Sequence, residues 1–272
     1  MSPNWVNGAG TAYVIDLHAH ILPGVDDGAT SMDVSIEMAK VAAEHGTKVI
    51  LATPHRKDVT ESSSVQHITE LVEHMNGEMK SQDIDLSVVL GMENHLDLEL
   101  PDEVTNGRAL PMNGTRYILV EMPFFGRPNY AEDVLFRLQL QGLTPVLAHP
   151  ERIEAFQRDP DLLVSFVERG MLSQVTVGSF VGYFGKEVRR FANTLLGHGL
   201  VHLIASDTHF PGGARSPKLR LGLDAVQAIV GPERARAMVL DTPRAILDNL
   251  DVQTEPPTNP EKPRKWFQLW RR

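Results

Sequence analysis

Seven short, nearly continuous runs of apolar and β-branched residues recur along the chain. They cover residues 13–17, 48–53, 86–91, 117–120, 145–148, 172–177 and 201–205. Runs of this length without polar alternation are typical of strands that are buried on both faces, as in a parallel sheet. The pattern therefore predicts seven parallel strands.

Longer amphipathic stretches separate these runs and predict helices. Three of them end at a glycine, a common helix C-cap: residues 32–45 at Gly46, residues 131–141 at Gly142, and residues 161–169 at Gly170. Near the C-terminus, Thr242 followed by Pro243 predicts an N-cap and a helix over residues 243–249. Alternating strands and helices indicate an α/β protein, either a (β/α) barrel or a doubly wound sheet.

The composition narrows the class of protein. The chain has 272 residues, 42% of them hydrophobic, which is enough for one large domain or two small ones. It has no cysteine, which excludes disulfides, thiolate zinc sites, iron–sulfur clusters and cysteine-nucleophile phosphatases. With 26 Lys and Arg against 35 Asp and Glu, the net charge of −9 disfavours general nucleic-acid binding. Since neither a signal peptide nor a spanning apolar run is visible, we expect a soluble, cytoplasmic protein.

The composition changes after about Leu250. Residues 256–263 carry four prolines, which predicts an extended linker. Residues 262–272 form a basic and aromatic tip, with five Lys or Arg and three large aromatic residues. We therefore expect a main domain over residues 1–250 and a linker with its tip over residues 251–272. The tip predicts weak contact with an anionic membrane surface, and the alternatives are folding back onto the acidic domain or a disordered end.

Six of the seven runs end beside residues that bind hard or borderline metal ions. These residues are His18, His20, Asp26, Asp27, His55, Glu93, Glu121, His149, Asp207 and His209. In parallel α/β folds the active site lies at the carboxyl ends of the strands. A barrel brings all these ends to one mouth, whereas an open sheet spreads them along an edge, so the barrel is favoured. Carboxylates and imidazoles together suit Mn, Fe or Zn.

Each of these residues alone has a plainer interpretation. A His-x-His pair can be structural, and Glu93 or Glu121 can form an ordinary salt bridge. Their coincidence after six strands indicates a metal site, because buried charges at one mouth are costly without a cation. The other six histidines are interpreted as structural or surface residues: His45, His67, His74, His95, His198 and His202.

The sequence resembles the PHP (polymerase and histidinol phosphatase) superfamily. The segments that carry the resemblance are 18–28 (HAHILPGVDDG), 53–56 (TPHR), 91–93 (GME), 120–121 (VE), 148–152 (AHPER) and 205–209 (ASDTH). Within the superfamily, the Asp-Asp-Gly and His-Pro-Glu-Arg segments are similar to bacterial manganese-dependent tyrosine phosphatases of capsule and exopolysaccharide synthesis. The resemblance runs from about residue 13 to residue 249 and implies a distorted seven-stranded (β/α) barrel of the PHP type.

This resemblance implies three divalent metal ions, manganese with iron or zinc as alternatives. The implied ligands are His18, His20, Glu93 and Asp207 for one ion, Glu93, Glu121 and His149 for the second, and Asp27, His55 and His209 for the third. Asp26 is the alternative to Asp27, either as a ligand or as a residue that orients one.

The resemblance also implies that two arginines hold phosphate. Arg152 and Arg215 match phosphate-binding arginines of the family and are the candidate catalytic residues. Arg56 is a weaker candidate, with a surface salt bridge as its alternative.

The implied activity is removal of phosphate from protein phosphotyrosine, on the tail of a membrane-associated bacterial capsule kinase. Clustered divalent ions lower the pKa of a bridging water, and the hydroxide would attack phosphorus without a covalent enzyme intermediate. No residue stands out as the general acid. One alternative is a small-molecule phosphatase, such as histidinol phosphatase, on the same scaffold. The other is a nucleic-acid enzyme or non-catalytic module, which the net charge and the full ligand set disfavour.

Overall fold

Strands and helices alternate through residues 13–260, the part of the chain that the computed structural model describes. The strands in this range are β1 (Val14–Ala19), β2 (Thr47–Ala52), β3 (Ser87–Leu90), β4 (Asn94–His95), β5 (Tyr117–Glu121), β6 (Thr144–Ala148), β7 (Leu172–Thr176) and β8 (Leu203–Ala205). The helices are α1 (Met32–Glu44), α2 (Arg56–Ser62), α3 (Val65–Ser81), α4 (Leu100–Thr105), α5 (Ala131–Leu140), α6 (Glu154–Arg158), α7 (Pro160–Glu168), α8 (Val177–Phe180), α9 (Lys186–Gly197), α10 (Leu223–Val230), α11 (Pro232–Arg236) and α12 (Thr242–Leu247).

The strands form two parallel sheets. One has the order β1-β2-β3 and the other the order β4-β5-β6-β7-β8. All six strand pairs are parallel, as the unbroken apolar runs predict. Each crossover runs through at least one helix or turn, so the chain is an α/β protein.

The predicted count of seven strands in one barrel is not confirmed. The described residues contain eight strands in two sheets, and no continuous ladder closes them into a barrel. The additional strand, β4, has only the two residues Asn94 and His95, and polar residues in so short a segment leave no hydrophobic pattern to detect. The predicted strand over residues 86–91 ends at Leu90, and the chain then leaves β2 and pairs with β5.

The hydrogen-bond ladder is interrupted at two seams between the sheets, the first between β1 and β8 and the second between β3 and β4. At the first seam, the Asp16 carboxylate accepts a hydrogen bond from the Ser206 backbone N–H at 2.9 Å. Beyond it a single bridge joins Ala19 to Thr208. At the second seam, a single bridge joins His55 to Glu93. Candidate site residues therefore lie where ladder pairing stops.

The two sheets share one apolar interior. Side chains from both sheets pack in a common cluster, among them Ile15, Leu51, Leu119, Val146 and Leu203. Leu240 and Ile246, from the segment that leads into α12 and from α12 itself, belong to the same cluster. Burial of these side chains, worth about 1.5–3 kcal/mol each, holds the two sheets together without a closed ladder.

The predicted helix ends agree with the structure except at α12. Gly46, Gly142 and Gly170 follow α1, α5 and α7 with φ of +86°, +82° and +87°, a backbone region that favours glycine. Pro243 lies in the first turn of α12, as predicted. Thr242 is not its N-cap, because a π-helical turn over Ala237–Asp241 runs directly into the helix and Asp241 occupies the cap position.

The described end of the chain lies against the domain. Residues 251–260 form no helix or strand, and the Thr258 backbone N–H donates to the His198 carbonyl at 2.9 Å. The predicted basic and aromatic tip, residues 262–272, lies outside the described residues. Among residues 13–260, no helix combines the length and the apolar character that crossing a membrane requires.

Candidate metal centre

The loops at the carboxyl ends of the strands bring imidazole and carboxylate groups into one cluster. All nine ligands implied by the sequence take part in four groups whose ligand atoms lie within 4.8 Å of one another. The groups are His20, Asp27, His55 and His209; His18, Glu93 and His149; His18, His20 and Asp207; and His55, His95 and Glu121. Residues that are far apart in sequence, from His18 to His209, thus come together at one edge of the molecule.

Glu93 lies at the centre of this cluster. Its Oε2 atom is 3.3 Å from Nε2 of both His18 and His20 and 3.1 Å from Nδ1 of His55. Its Oε1 atom is 2.9 Å from Nε2 of His149. Glu93 is therefore the carboxylate that joins the imidazoles of the cluster, and it is placed where it could serve as a metal ligand.

The loop that follows β1 contributes two aspartates with different partners. Asp26 Oδ2 lies 2.7 Å from His20 Nδ1, and its carboxylate also accepts backbone N–H bonds from Gly28 and His55. Asp27 Oδ1 lies 3.1 Å from His209 Nε2, and its side chain is 62% exposed. The contacts of Asp26 are those of a residue that orients His20, and Asp27 is the better placed ligand.

Gly28 is required for this loop to lie against His20. A Cβ atom at this position would lie 2.0 Å from the His20 carbonyl oxygen. The Asp-Asp-Gly segment can therefore fold over the first histidine pair only with glycine as its third residue.

His95 lies within the cluster, a placement that its sequence interpretation as a structural or surface histidine did not predict. Its Nε2 atom lies 3.2 Å from Glu121 Oε2, and it groups with His55. The signal was its spacing: His95 lies two residues after Glu93, and alternate residues of an extended segment share a face. The short strand β4 hid this spacing because it has no apolar run of its own.

Gln174, which the sequence did not single out, orients His18. Its Oε1 atom lies 2.8 Å from His18 Nδ1, so that nitrogen carries the proton and Nε2 faces the cluster. Gln174 is fully buried on β7. The sequence shows Gln174 as a polar residue inside an apolar run. It does not show that the partner of this side chain is His18.

Two cluster residues have left-handed backbone conformations. The φ angles are +31° for His149 and +53° for Asp207. Residues other than glycine that adopt this region cost about 1–3 kcal/mol and concentrate at functional sites. The surrounding fold therefore holds both side chains in place against local preference.

The electrostatics of the cluster favour added positive charge. Burial and the negative charge of Glu93 raise the pKa of Glu121 to about 8. Burial also opposes ionisation of Glu93, but the charge on His18 and a hydrogen bond from His149 outweigh it and keep its pKa well below the usual range. At neutral pH, a cation beside the two carboxylates would favour the ionisation of both.

The donor chemistry fits a divalent cation. Two buried ring nitrogens that face carboxylates of the cluster, His55 Nδ1 and His209 Nε2, have no hydrogen-bond partner among the described residues. Buried polar atoms without partners are costly. A set of nitrogen and carboxylate oxygen donors with no sulfur suits Mn, Fe or Zn.

Two arginines lie over the cluster. Arg152 Nη1 donates to Asp207 Oδ2 at 2.7 Å, and Arg215 Nη2 donates to Oδ1 of the same carboxylate at 2.8 Å. Burial opposes ionisation of Asp207, but nearby His18 and Arg215 outweigh it and lower its pKa. The central carbon of the Arg152 guanidinium also lies over the rings of Phe124 and Phe184, 4.9 Å and 4.5 Å from their centroids.

Arg56 has a different environment. Its guanidinium is buried, pairs with Asp97 and lies 4.0 Å from Glu103. It takes part in an ion-pair network between α2 and α4 rather than in the contacts of Arg152 and Arg215.

Known proteins are similar to this chain in sequence and in fold. The family model for capsular polysaccharide synthesis, CpsB/CapC, matches residues 14–248. This chain belongs to the CpsB/CapC family. The match spans both sheets and every residue of the cluster, and it confirms the resemblance found in the sequence.

Relatives within the CpsB/CapC family cover nearly the whole chain. Tyrosine-protein phosphatase YwqE from Bacillus subtilis is 37% identical over 254 residues, which are 93% of this chain and 99% of the relative. Tyrosine-protein phosphatase CpsB from Streptococcus pneumoniae is 26% identical over 239 residues, 86% of this chain and 98% of the relative.

A solved structure has the same fold. It comes from the crystal structures of YwqE from Bacillus subtilis and CpsB from Streptococcus pneumoniae, unique metal-dependent tyrosine phosphatases. The solved chain is 36% identical to this one, superposes with a TM-score of 0.85, and is matched over 98% of its length and 89% of this chain.

Proposed function

We propose that this chain is a metal-dependent protein-tyrosine phosphatase, a phosphomonoester hydrolase that needs no cysteine. The observation that carries the proposal is the meeting of nine implied metal ligands and two arginines at one edge of the fold. The 37% identity to a tyrosine-protein phosphatase supports the same activity.

The proposed metal centre has three positions, with manganese as the ion and iron or zinc as alternatives. The ligands we assign are His18, His20, Glu93 and Asp207 for the first, Glu93, Glu121 and His149 for the second, and Asp27, His55 and His209 for the third. His95 lies within reach of the position next to Glu121. When bound, such ions lower the pKa of a water molecule and offset negative charge on phosphoryl oxygens.

The proposed role of Arg152 and Arg215 is to hold the phosphoryl group. Each guanidinium uses part of its N–H donors on Asp207 and has others that can reach a phosphoryl oxygen. Arginine bonds phosphate through two parallel N–H groups and stays charged at any working pH. A phenolate leaves more readily than an alkoxide, so an aryl phosphate depends less on a general acid.

The proposed substrate is the phosphorylated tail of a membrane-associated bacterial tyrosine kinase, reached from the cytoplasm. The capsular polysaccharide synthesis family to which the chain belongs supports this context. Residues 1–250 are proposed as the catalytic domain. Contact of the tip, residues 262–272, with an anionic membrane stays a prediction.

Initial rates on three phosphomonoesters test the proposed specificity. With protein loaded with Mn²⁺, we expect kcat/KM on a phosphotyrosine peptide to exceed that on the matched phosphoserine peptide and on histidinol phosphate by about 100-fold. Higher activity on histidinol phosphate would assign the chain to the small-molecule phosphatases instead. The His18→Ala/His20→Ala variant serves as the control for contaminating phosphatases.

A further inference from the structure

Exposed aromatic side chains concentrate around the candidate metal centre. Four aromatic residues among residues 13–260 are exposed. Three of them lie in loops on the side of the molecule where the strands end: Phe125 (84% exposed) after β5, Tyr183 (45%) in the turn after α8, and Phe210 (50%) after β8. The fourth, Phe136, lies on α5. Exposed apolar groups that cluster in this way mark a binding surface.

The neighbours of these three residues contact the site directly. Phe124, next to Phe125, stacks on His149 with ring planes 8° apart and centroids at 5.4 Å. Phe184, next to Tyr183, covers Arg152. The Phe210 ring lies 6.2 Å from the ring of His209. Each exposed ring therefore belongs to a residue that is next in sequence to a group of the site.

Backbone contacts fix the loops that carry the rings. The Phe124 carbonyl accepts the N–H of Glu154 at 3.0 Å, and the Gly126 N–H donates to the Glu154 carboxylate at 2.9 Å, so Phe125 lies between two anchors. Tyr183 packs on Gly178, where an added Cβ would lie 3.0 Å from its ring and 3.6 Å from the Ala214 carbonyl. Gly178 of α8 therefore lies close both to the Tyr183 ring and to the loop after β8.

We propose that Phe125, Tyr183 and Phe210 form an aromatic rim that contacts the aryl ring of the substrate and selects aryl over alkyl phosphates. This inference rests on the proposed function. The ring of an aryl phosphate begins one bond from the phosphate ester oxygen, so a phosphoryl group held by Arg152 and Arg215 leaves the ring at the depth of the rim. Ring contacts there favour the aryl group through edge and face interactions and apolar burial. An alkyl chain gains less because it has no ring face.

Substitution of the rim separates aryl from alkyl recognition. In protein loaded with Mn²⁺, we expect Phe125→Ala and Phe210→Ala each to lower kcat/KM for phenyl phosphate by about tenfold and that for propyl phosphate by less than about twofold. Phe210→Leu should recover part of the loss because it restores apolar area without the ring. The matched control is Phe136→Ala, which should leave kcat/KM for both substrates unchanged.

Binding provides a second measurement that does not require turnover. Calorimetry should find that wild-type protein binds phenylphosphonate more tightly than methylphosphonate, and that the Phe125→Ala/Phe210→Ala variant loses this preference. An aryl preference that is unchanged in the double variant would contradict the proposed role of the rim. Failure of wild-type protein to hydrolyse phenyl phosphate would overturn the proposed function. The phosphonate comparison would still show whether the rim binds an aryl group.

Discussion

Gln174 is not one of the candidate ligands, but it orients one of them, His18. Its carboxamide oxygen fixes the tautomer of His18, which presents Nε2 to Glu93. Asp26 does the same for His20 through Nδ1. Partners of this kind are worth about 10–100-fold in metal affinity in other metalloproteins.

Gln174→Leu should therefore weaken Mn²⁺ binding by about 10–100-fold, because it removes the acceptor that orients His18. Gln174→Glu keeps an acceptor oxygen at the same place and should stay much closer to wild type. Competition with a fluorescent chelator measures both affinities, and Gln139→Leu, on the exposed face of α5, is the control. Equal Mn²⁺ affinity for Gln174→Leu and wild type would show that Gln174 does not contribute to metal binding through His18.

Individual site residues were predictable only where a motif carried them. His18, Glu93 and Asp207 follow predicted strands, and the structure brings them together as expected. His95 and Gln174 were missed because one lies on a two-residue strand and the other faces inward from an apolar run. Sequence spacing places a residue on a face, but it does not show which side chain it meets.

At the scale of elements, the junction of β7 and β8 depends on a neutral histidine. The backbone N–H of Ser173 donates to Nδ1 of His202 at 3.0 Å, and the His202 N–H donates to the Ser173 carbonyl at 3.1 Å. Burial and the nearby charge of Arg234 lower the pKa of His202 to about 4. The sequence interpretation of His202 as a structural residue agrees with these contacts.

This pKa shift predicts acid sensitivity of the fold. The unfolded-state pKa of histidine is about 6.5. Below that pH, His202 is protonated in the unfolded chain but stays neutral in the folded protein. The stabilising contribution is present above about 6.5 and is lost as pH falls towards 4. Between pH 7 and pH 5 the loss amounts to about 2 kcal/mol.

His202→Asn retains an acceptor for Ser173 and does not titrate. Its free energy of unfolding should therefore fall by about 2 kcal/mol less than that of wild type between pH 7 and pH 5. Urea titration of metal-stripped protein at the two pH values measures the difference, with exposed His67→Asn as the control. Parallel pH dependence of wild type and His202→Asn would contradict the assignment.

The strands and helices were predictable where local pattern and burial agree. Apolar runs located seven strands within one or two residues, and glycines marked the ends of α1, α5 and α7. The two seams between the sheets were not predictable, because they depend on Asp16 meeting Ser206 and on where β3 leaves β2. Such pairings join residues far apart in sequence and leave no periodic signal.

At the scale of the whole molecule, two parallel sheets enclose one apolar interior and present their carboxyl ends at a single edge. The interior needs no cation, since it consists of side chains such as Leu17, Leu119 and Val146. The edge gathers the histidines and carboxylates of the proposed metal centre, most of them buried. The fold and the metal centre are therefore separable, and metal removal should leave a folded but inactive protein.

Metal removal and restoration test this account most directly. The protein is stripped with a chelator, checked by circular dichroism and metal analysis, and assayed on a phosphotyrosine peptide before and after Mn²⁺ is added. We expect a folded apoprotein without activity, recovery with Mn²⁺, and no recovery in the His18→Ala/His20→Ala variant, which lacks two assigned ligands. Full phosphatase activity in protein that metal analysis finds free of divalent ions would contradict the account.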